Sequence, residues 1–178
     1  MGGRGGSSGL GNGIGQVPSF ERANYKSPSE HGLLIKADGT VRKYDGQEHN
    51  ITGSKEEIKS MSGGIFTHNH PTNVTFSDTD IGNGIVRGNL KEMRAVTSSG
   101  EIHVLKNNGA SLDDRKKFFA GFQQARMKAN NVADSKIRRG ESIDKNRYIS
   151  TRVEKYMEEN VEKYHMRYEK KHLKASRR

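Results

Sequence analysis

A mixed α/β (α+β) fold is what this chain predicts, and three observations lead there. Short apolar runs bounded by glycine and Asp-Gly recur between residues 31 and 106, the pattern of short strands. Ser-x-x-Asp or Ser-x-x-Glu patterns, which open helices, stand at 54–57, 77–80 and 111–114. Beyond residue 110, apolar side chains recur at spacings of three and four on a basic background, as on amphipathic helices.

The elements follow in order. Residues 1–17 are rich in Gly and Ser and read as a flexible tail; no Gly-Lys-Ser/Thr ending makes them a phosphate loop. Regular structure is expected from about Glu30. His31-Gly-Leu-Leu-Ile-Lys-Ala37 reads as a strand, Asp38-Gly39 as a tight turn and 40–44 as the returning strand. A short strand over 49–52 follows, then a helix opened by Ser54-Lys-Glu-Glu57 and running through Met61. Residues 63–69 read as a central strand ended by Pro71. A loop leads to Ser77-Asp-Thr-Asp80 and a helix weakened by Gly82, Gly84 and Gly88, with Ile81, Ile85 and Val86 able to face the core. Residues 92–98 and 101–106 form a hairpin through Ser99-Gly100. Ser111-Leu-Asp-Asp114 opens a third helix with Phe118, Phe122, Ala125 and Ala129 on one face. A last helix runs from about Ile143, with Val153, Met157, Val161, Tyr164 and Tyr168 as its stripe. The layout is thus a tail (1–17), a core (18–108) and a basic helical extension (109–178).

Composition narrows the chemistry. Only 30% of the 178 residues are hydrophobic and the mean hydropathy is -0.93, so part of the chain is expected outside one packed core. No apolar run approaches the roughly 18 residues of a membrane span, and the first residues lack a secretory signal's apolar stretch, so a cytoplasmic protein is expected. Cysteine is absent, which excludes disulfides, thiol catalysis and cysteine zinc sites. Any metal must be held by His, Asp, Glu and water. The net charge of +10 is uneven: residues 1–110 carry 12 Lys+Arg against 11 Asp+Glu, and residues 111–178 carry 19 against 10. The clusters Arg115-Lys-Lys117, Arg138-Arg139, Lys170-Lys171 and Arg177-Arg178 suit nucleic-acid phosphates or an acidic protein, or else a solvated helical face.

The chemistry concentrates in Thr67-His-Asn-His-Pro-Thr-Asn-Val-Thr-Phe-Ser-Asp-Thr-Asp80. Side chains two apart on a strand share a face, so His68 and His70 can reach one ion while Asn69 points away. Asp80, in the first turn of a helix, stays ionised near unpaired N–H groups and completes a His-His-Asp set. Three protein ligands leave a fourth position open, as in catalytic zinc sites (Zn2+). Ser77 and Asp80 also form a capping box with or without a metal. His31, His49 and His103 read as ordinary strand histidines. His165 and His172 share a helical face but lie too far apart to chelate one ion.

His68-Asn-His-Pro71 followed by Ser77 and Asp80 resembles the JAMM signature of the JAB/JAMM metalloproteases. The wording is most similar to the RadC-type branch and to phage- and mobile-element-encoded members, whose next strand 89–96 also resembles. The resemblance spans roughly residues 30–105 and implies a sheet-and-helix core with zinc held by His68, His70 and Asp80. It also implies Ser77 as helper of the oxyanion and Glu30, in Glu30-His-Gly-Leu-Leu-Ile35, as general acid/base; Glu48, Glu56 and Glu57 are competing carboxylates. Two spacings depart from the pattern: six residues instead of seven separate His70 from Ser77, and one instead of two separates Glu30 from Gly32. The expected activity is hydrolysis of a peptide or isopeptide bond in a peptide or protein substrate, in the host cytoplasm if phage-encoded. Alternatives are a non-catalytic module of a phage or mobile-element assembly and a metal-dependent DNA-associated protein. The letters His-Asn-His do not make an HNH nuclease, whose histidines come from separated parts of a ββα unit.

Overall fold

The computed structural model describes residues 11–45 and 54–173. Its centre is a six-stranded sheet of β1 (His31–Ile35), β2 (Val41–Asp45), β3 (Ile65–His70), β4 (Glu92–Thr97), β5 (Glu101–Asn107) and β6 (Met166–His172), in the order β2-β1-β3-β4-β5-β6. Every neighbouring pair is antiparallel except β3 and β4. The helices are α1 (Gly11–Ile14), α2 (Gln16–Asn24), α3 (Lys55–Lys59), a π-helix (Asp80–Arg87), α4 (Leu112–Arg138) and α5 (Lys145–Asn160). The α+β class expected from the sequence is the class found.

Period-two alternation sorts the sheet into two faces. Leu34, Phe66, Met93 and Leu105 meet Ile81 and Ile85 of the π-helix, Phe118 and Phe122 of α4, and Val153 and Met157 of α5 in one cluster. Leu33, Ile35 and Ile65 meet Val17 of α2 on the other side. Covered on both faces, β3 has all six residues buried, as a central strand must when helices sandwich it. Its parallel partner β4 needs a crossover, and the π-helix supplies it, carrying the chain from the end of β3 back to the start of β4.

The turn signals were informative. Gly39 and Gly100 take φ of 89° and 84° in the two hairpin turns. Ser54 caps α3 through the backbone of Glu57, and Ser111 with Asp114 forms a full capping box on α4. Gly121 on α4 has its own reason: a Cβ there would strike the hydroxyl of Tyr156, which donates to the Phe118 carbonyl at 3.1 Å and draws α5 onto α4.

Several expectations need correction. The tail expected over 1–17 and the start expected near Glu30 overlook α1 and α2, and Val17 is buried. The final helix ends at Asn160 instead of running through Tyr168. A 3-10 turn (Val161–Tyr164) and His165, with φ of 55°, turn the chain into β6, which pairs with β5. His165 and His172 therefore do not share a helical face. In β6, Met166 and Tyr168 pack on the core while Lys170 and Lys171 sit on a sheet edge, where lysines discourage pairing with another chain. The helix after Ser77 is wound with i+5 bonds, as from Gly88 N to Asn83 O at 2.7 Å. The strand expected over 49–52, with His49 and Glu48, lies outside the described residues, as do Arg177 and Arg178.

Candidate metal centre

Phe66, His68 and His70 project from one face of β3, and the Phe66 ring stacks on His68 at 5.2 Å. The chain turns beyond His70 and enters the π-helix, whose first residue is Asp80. His68, His70 and Asp80 are 5%, 5% and 4% exposed, and one ligand atom from each can be chosen so that all lie within 4.8 Å of one another. The Nε2 atoms of the histidines are 2.9 Å apart. Asp80 Oδ1 is 3.5 Å from His68 Nε2 and its Oδ2 is 3.5 Å from His70 Nε2.

These distances test the fit to an ion. Tetrahedral zinc with ligands at about 2.0–2.1 Å separates its ligand atoms by about 3.3–3.4 Å. The 2.9 Å between the two Nε2 atoms and the 3.5 Å from His68 Nε2 to Asp80 Oδ1 bracket that value, while the 3.5 Å to His70 Nε2 is made by the other oxygen, Oδ2; 3.5 Å is long for a direct hydrogen bond between imidazole and carboxylate. His70 Nδ1 lies 3.0 Å from the Val74 carbonyl, which only accepts, so that nitrogen carries the proton and Nε2 turns a lone pair to the cluster. Two imidazoles and a carboxylate are a donor set that suits zinc. His68 Nδ1 is buried without a hydrogen-bond partner among the described residues.

Electrostatics keeps the carboxylate ready. Burial by itself would raise the pKa of Asp80, but the two imidazoles outweigh it and hold the carboxyl well below the usual range. For His70, burial disfavours the imidazolium, yet the adjacent Asp80 carboxylate and the Val74 carbonyl outweigh it and raise the pKa.

Ser77 serves Asp80 in this geometry. Its backbone N–H and its hydroxyl donate to Asp80 Oδ2 at 2.7 and 2.8 Å, and its Oγ accepts from the Asp80 N–H at 3.1 Å. The Ser77 hydroxyl, expected to help an oxyanion, gives its proton to Asp80 here; it orients that carboxylate and leaves Oδ1 facing His68. Glu30, partly buried just before β1, lines a cleft of about 300 Å³ together with His70, Thr75, Ser77 and Arg126. The competing Glu56 and Glu57 lie on α3 and do not line this cleft; Glu57 pairs with Arg42.

Sequence reasoning missed the polar cluster behind the cleft. The Thr75 N–H donates to Ser150 Oγ at 2.8 Å, the Ser150 hydroxyl to Glu154 Oε1 at 3.1 Å, and Lys170 Nζ to Glu154 Oε2 at 2.9 Å. Beside it, fully buried His103 shares a 2.7 Å hydrogen bond with Tyr168. Burial lowers the His103 pKa to about 4 against opposing charges on Glu154 and Glu101. The unfolded chain takes up this proton near pH 6.5, so stability present above that pH is lost as pH falls toward 4, by about 3 kcal/mol. His70, with its raised pKa, contributes in the opposite sense, losing stabilisation as pH rises through its folded value. Urea unfolding of zinc-free protein at pH 7 and 4.5 should show a drop in the wild type that His103→Gln largely removes; equal drops in both would contradict this origin.

Many cations in and beside the basic clusters are locally matched. Lys117, Lys136, Arg139, Lys170 and Lys171 each lie within 2.6–2.9 Å of a carboxylate, and Arg115 is buried. No helix among the described residues is long and apolar enough to cross a membrane. No model of a known protein family, no curated protein and no solved structure matches the chain.

Proposed function

We propose that this chain is a zinc-dependent hydrolase of the JAMM type that cleaves a peptide or isopeptide bond. The observation that carries the reading is the convergence of His68, His70 and Asp80 at one buried point beside an open cleft that Glu30 also lines. Two neutral imidazoles and one carboxylate leave a coordination position for the reaction, which a closed structural site lacks.

Zinc, when bound, supplies a Lewis acid that activates water and polarises a carbonyl. The remaining work falls to the chain. The Val74 carbonyl fixes the His70 tautomer, and Ser77 holds the Asp80 carboxylate in place. Glu30 accepts the proton of the attacking water and delivers it to the leaving amine. The loop that carries Thr72, Val74 and Thr75 forms the cleft wall against which the substrate backbone lies.

The test combines zinc content with turnover on a panel of peptide and isopeptide substrates. Glu30→Gln is expected to lower kcat by about 10²-fold with zinc content unchanged. A wild-type chain without zinc, or equal turnover in Glu30→Gln, would overturn the reading.

A further inference from the structure

Asn69 stands between the two histidines on β3 but faces the opposite side of the sheet, where it is fully buried. A buried carboxamide needs partners for both its oxygen and its nitrogen. Asn69 finds them in one short segment. The His31 N–H donates to Oδ1 at 2.7 Å, and Nδ2 donates to the Ser29 carbonyl at 3.0 Å and to the Ser27 carbonyl at 3.5 Å.

The first two contacts are made with the peptide groups on either side of Glu30. The β1–β3 ladder runs from Gly32 opposite His68 to Ile35 opposite Ile65, so regular pairing stops just short of this point. The segment before it, joining α2 to β1, has no ladder of its own. One side chain therefore takes over where the backbone ladder ends, and it grips the chain on both sides of Glu30.

We propose that Asn69 is the positioning residue for Glu30. This rests on the reading of Glu30 as the general base given above. In His68-Asn69-His70 the two faces of one strand then divide the work. The histidines place the ion, and the asparagine sets the base at a fixed distance from it. The rigid element between them is β3 itself, paired on both sides. An aspartate would keep the acceptor for His31 and lose the donor for Ser29, so the amide is the group the site requires.

The test uses the full chain loaded with Co2+ and carrying 13C-labelled glutamate. Two readouts are taken: paramagnetic relaxation of the Glu30 carboxyl carbon, which reports its distance from the ion, and hydrogen exchange of the His31 amide in metal-free protein. In Asn69→Ala, Co2+ uptake is expected to persist, the Glu30 relaxation to fall clearly, and the His31 amide to exchange about tenfold faster. Asn69→Ser, whose hydroxyl is too short to span both peptides, gives the same reading if the alanine variant does not fold. Thr67→Val, on the same strand and face, lowers thermal stability and should leave the Glu30 relaxation unchanged. Unchanged Glu30 relaxation in both Asn69 variants overturns the proposal while leaving the hydrolase reading intact. A wild-type Glu30 carboxyl that a bound Co2+ does not relax, or no Co2+ uptake at all, overturns both.

Discussion

Zinc uptake is expected to disappear when His68, His70 or Asp80 is replaced by alanine, whereas the wild-type chain takes up about one ion. The loss should exceed the roughly 10–100-fold that removal of a ligand-holding group costs, because each substitution deletes a donor and leaves the other two facing each other. Ser77→Ala should fall within that 10–100-fold range, since it removes the two hydrogen bonds that Oγ makes with Asp80, to Oδ2 and from the N–H, and leaves all three donors in place. The melting temperature gives a second measure. An ion at about 1,000 times its dissociation constant stabilises the folded state by about 4 kcal/mol, so adding a chelator should lower the wild-type Tm and leave the three alanine variants unmoved. The competing view is that the three side chains form a buried polar trio needing no ion. On that view the alanine variants still lose stability, but the wild-type Tm ignores both zinc and chelator. Insensitivity of the wild type to both would remove the metal centre.

The cluster of His68, His70 and Asp80 was legible because each part rests on a local rule. Period two on a strand aligns His68 with His70, and the Ser-x-x-Asp spacing places Asp80 in the first turn of the following helix. Both rules act within a few residues. The hairpin turns and the caps at Ser54 and Ser111 were readable for the same reason. What escaped depends on contacts between distant segments. The helix α2 shows little apolar periodicity because a buried carboxylate, Glu21, anchors it along with Val17. The strand β6 hides in a run of Arg, Glu and Lys, where the inward residues Met166 and Tyr168 are too few to reveal period two against the helical spacing preceding them. The carbonyl that orients His70 and the amide that grips the segment around Glu30 follow from tertiary packing alone.

Glu21→Ala is expected to destabilise the chain by about 3–5 kcal/mol, the cost of leaving a buried charge without its partner. Glu21 Oε1 accepts from Arg94 Nε at 2.6 Å and from the Thr67 hydroxyl at 3.0 Å, while Oε2 accepts from Arg94 Nη2 at 3.2 Å. The Glu21 and Arg94 side chains are 2% and 14% exposed, so water cannot replace the missing partner. Burial opposes the guanidinium charge and the variant removes Glu21, but Glu92 remains beside Arg94 and a guanidinium holds its proton far above neutral pH, so Arg94 stays charged in the variant. Its 2.9 Å contact with Glu92 survives, which places the loss toward the lower end of the range. Glu21→Leu combined with Arg94→Met should recover most of the stability, because the penalty lies in the stranded charge more than in the absence of an ion pair. Urea unfolding of the single and double variants at pH 7 measures both quantities; a double variant as unstable as the sum of two singles would show that Glu21 and Arg94 act independently. Zinc affinity should change little in either variant, since the β1 and β4 ladders flank β3 and hold His68 and His70 in register without help from α2.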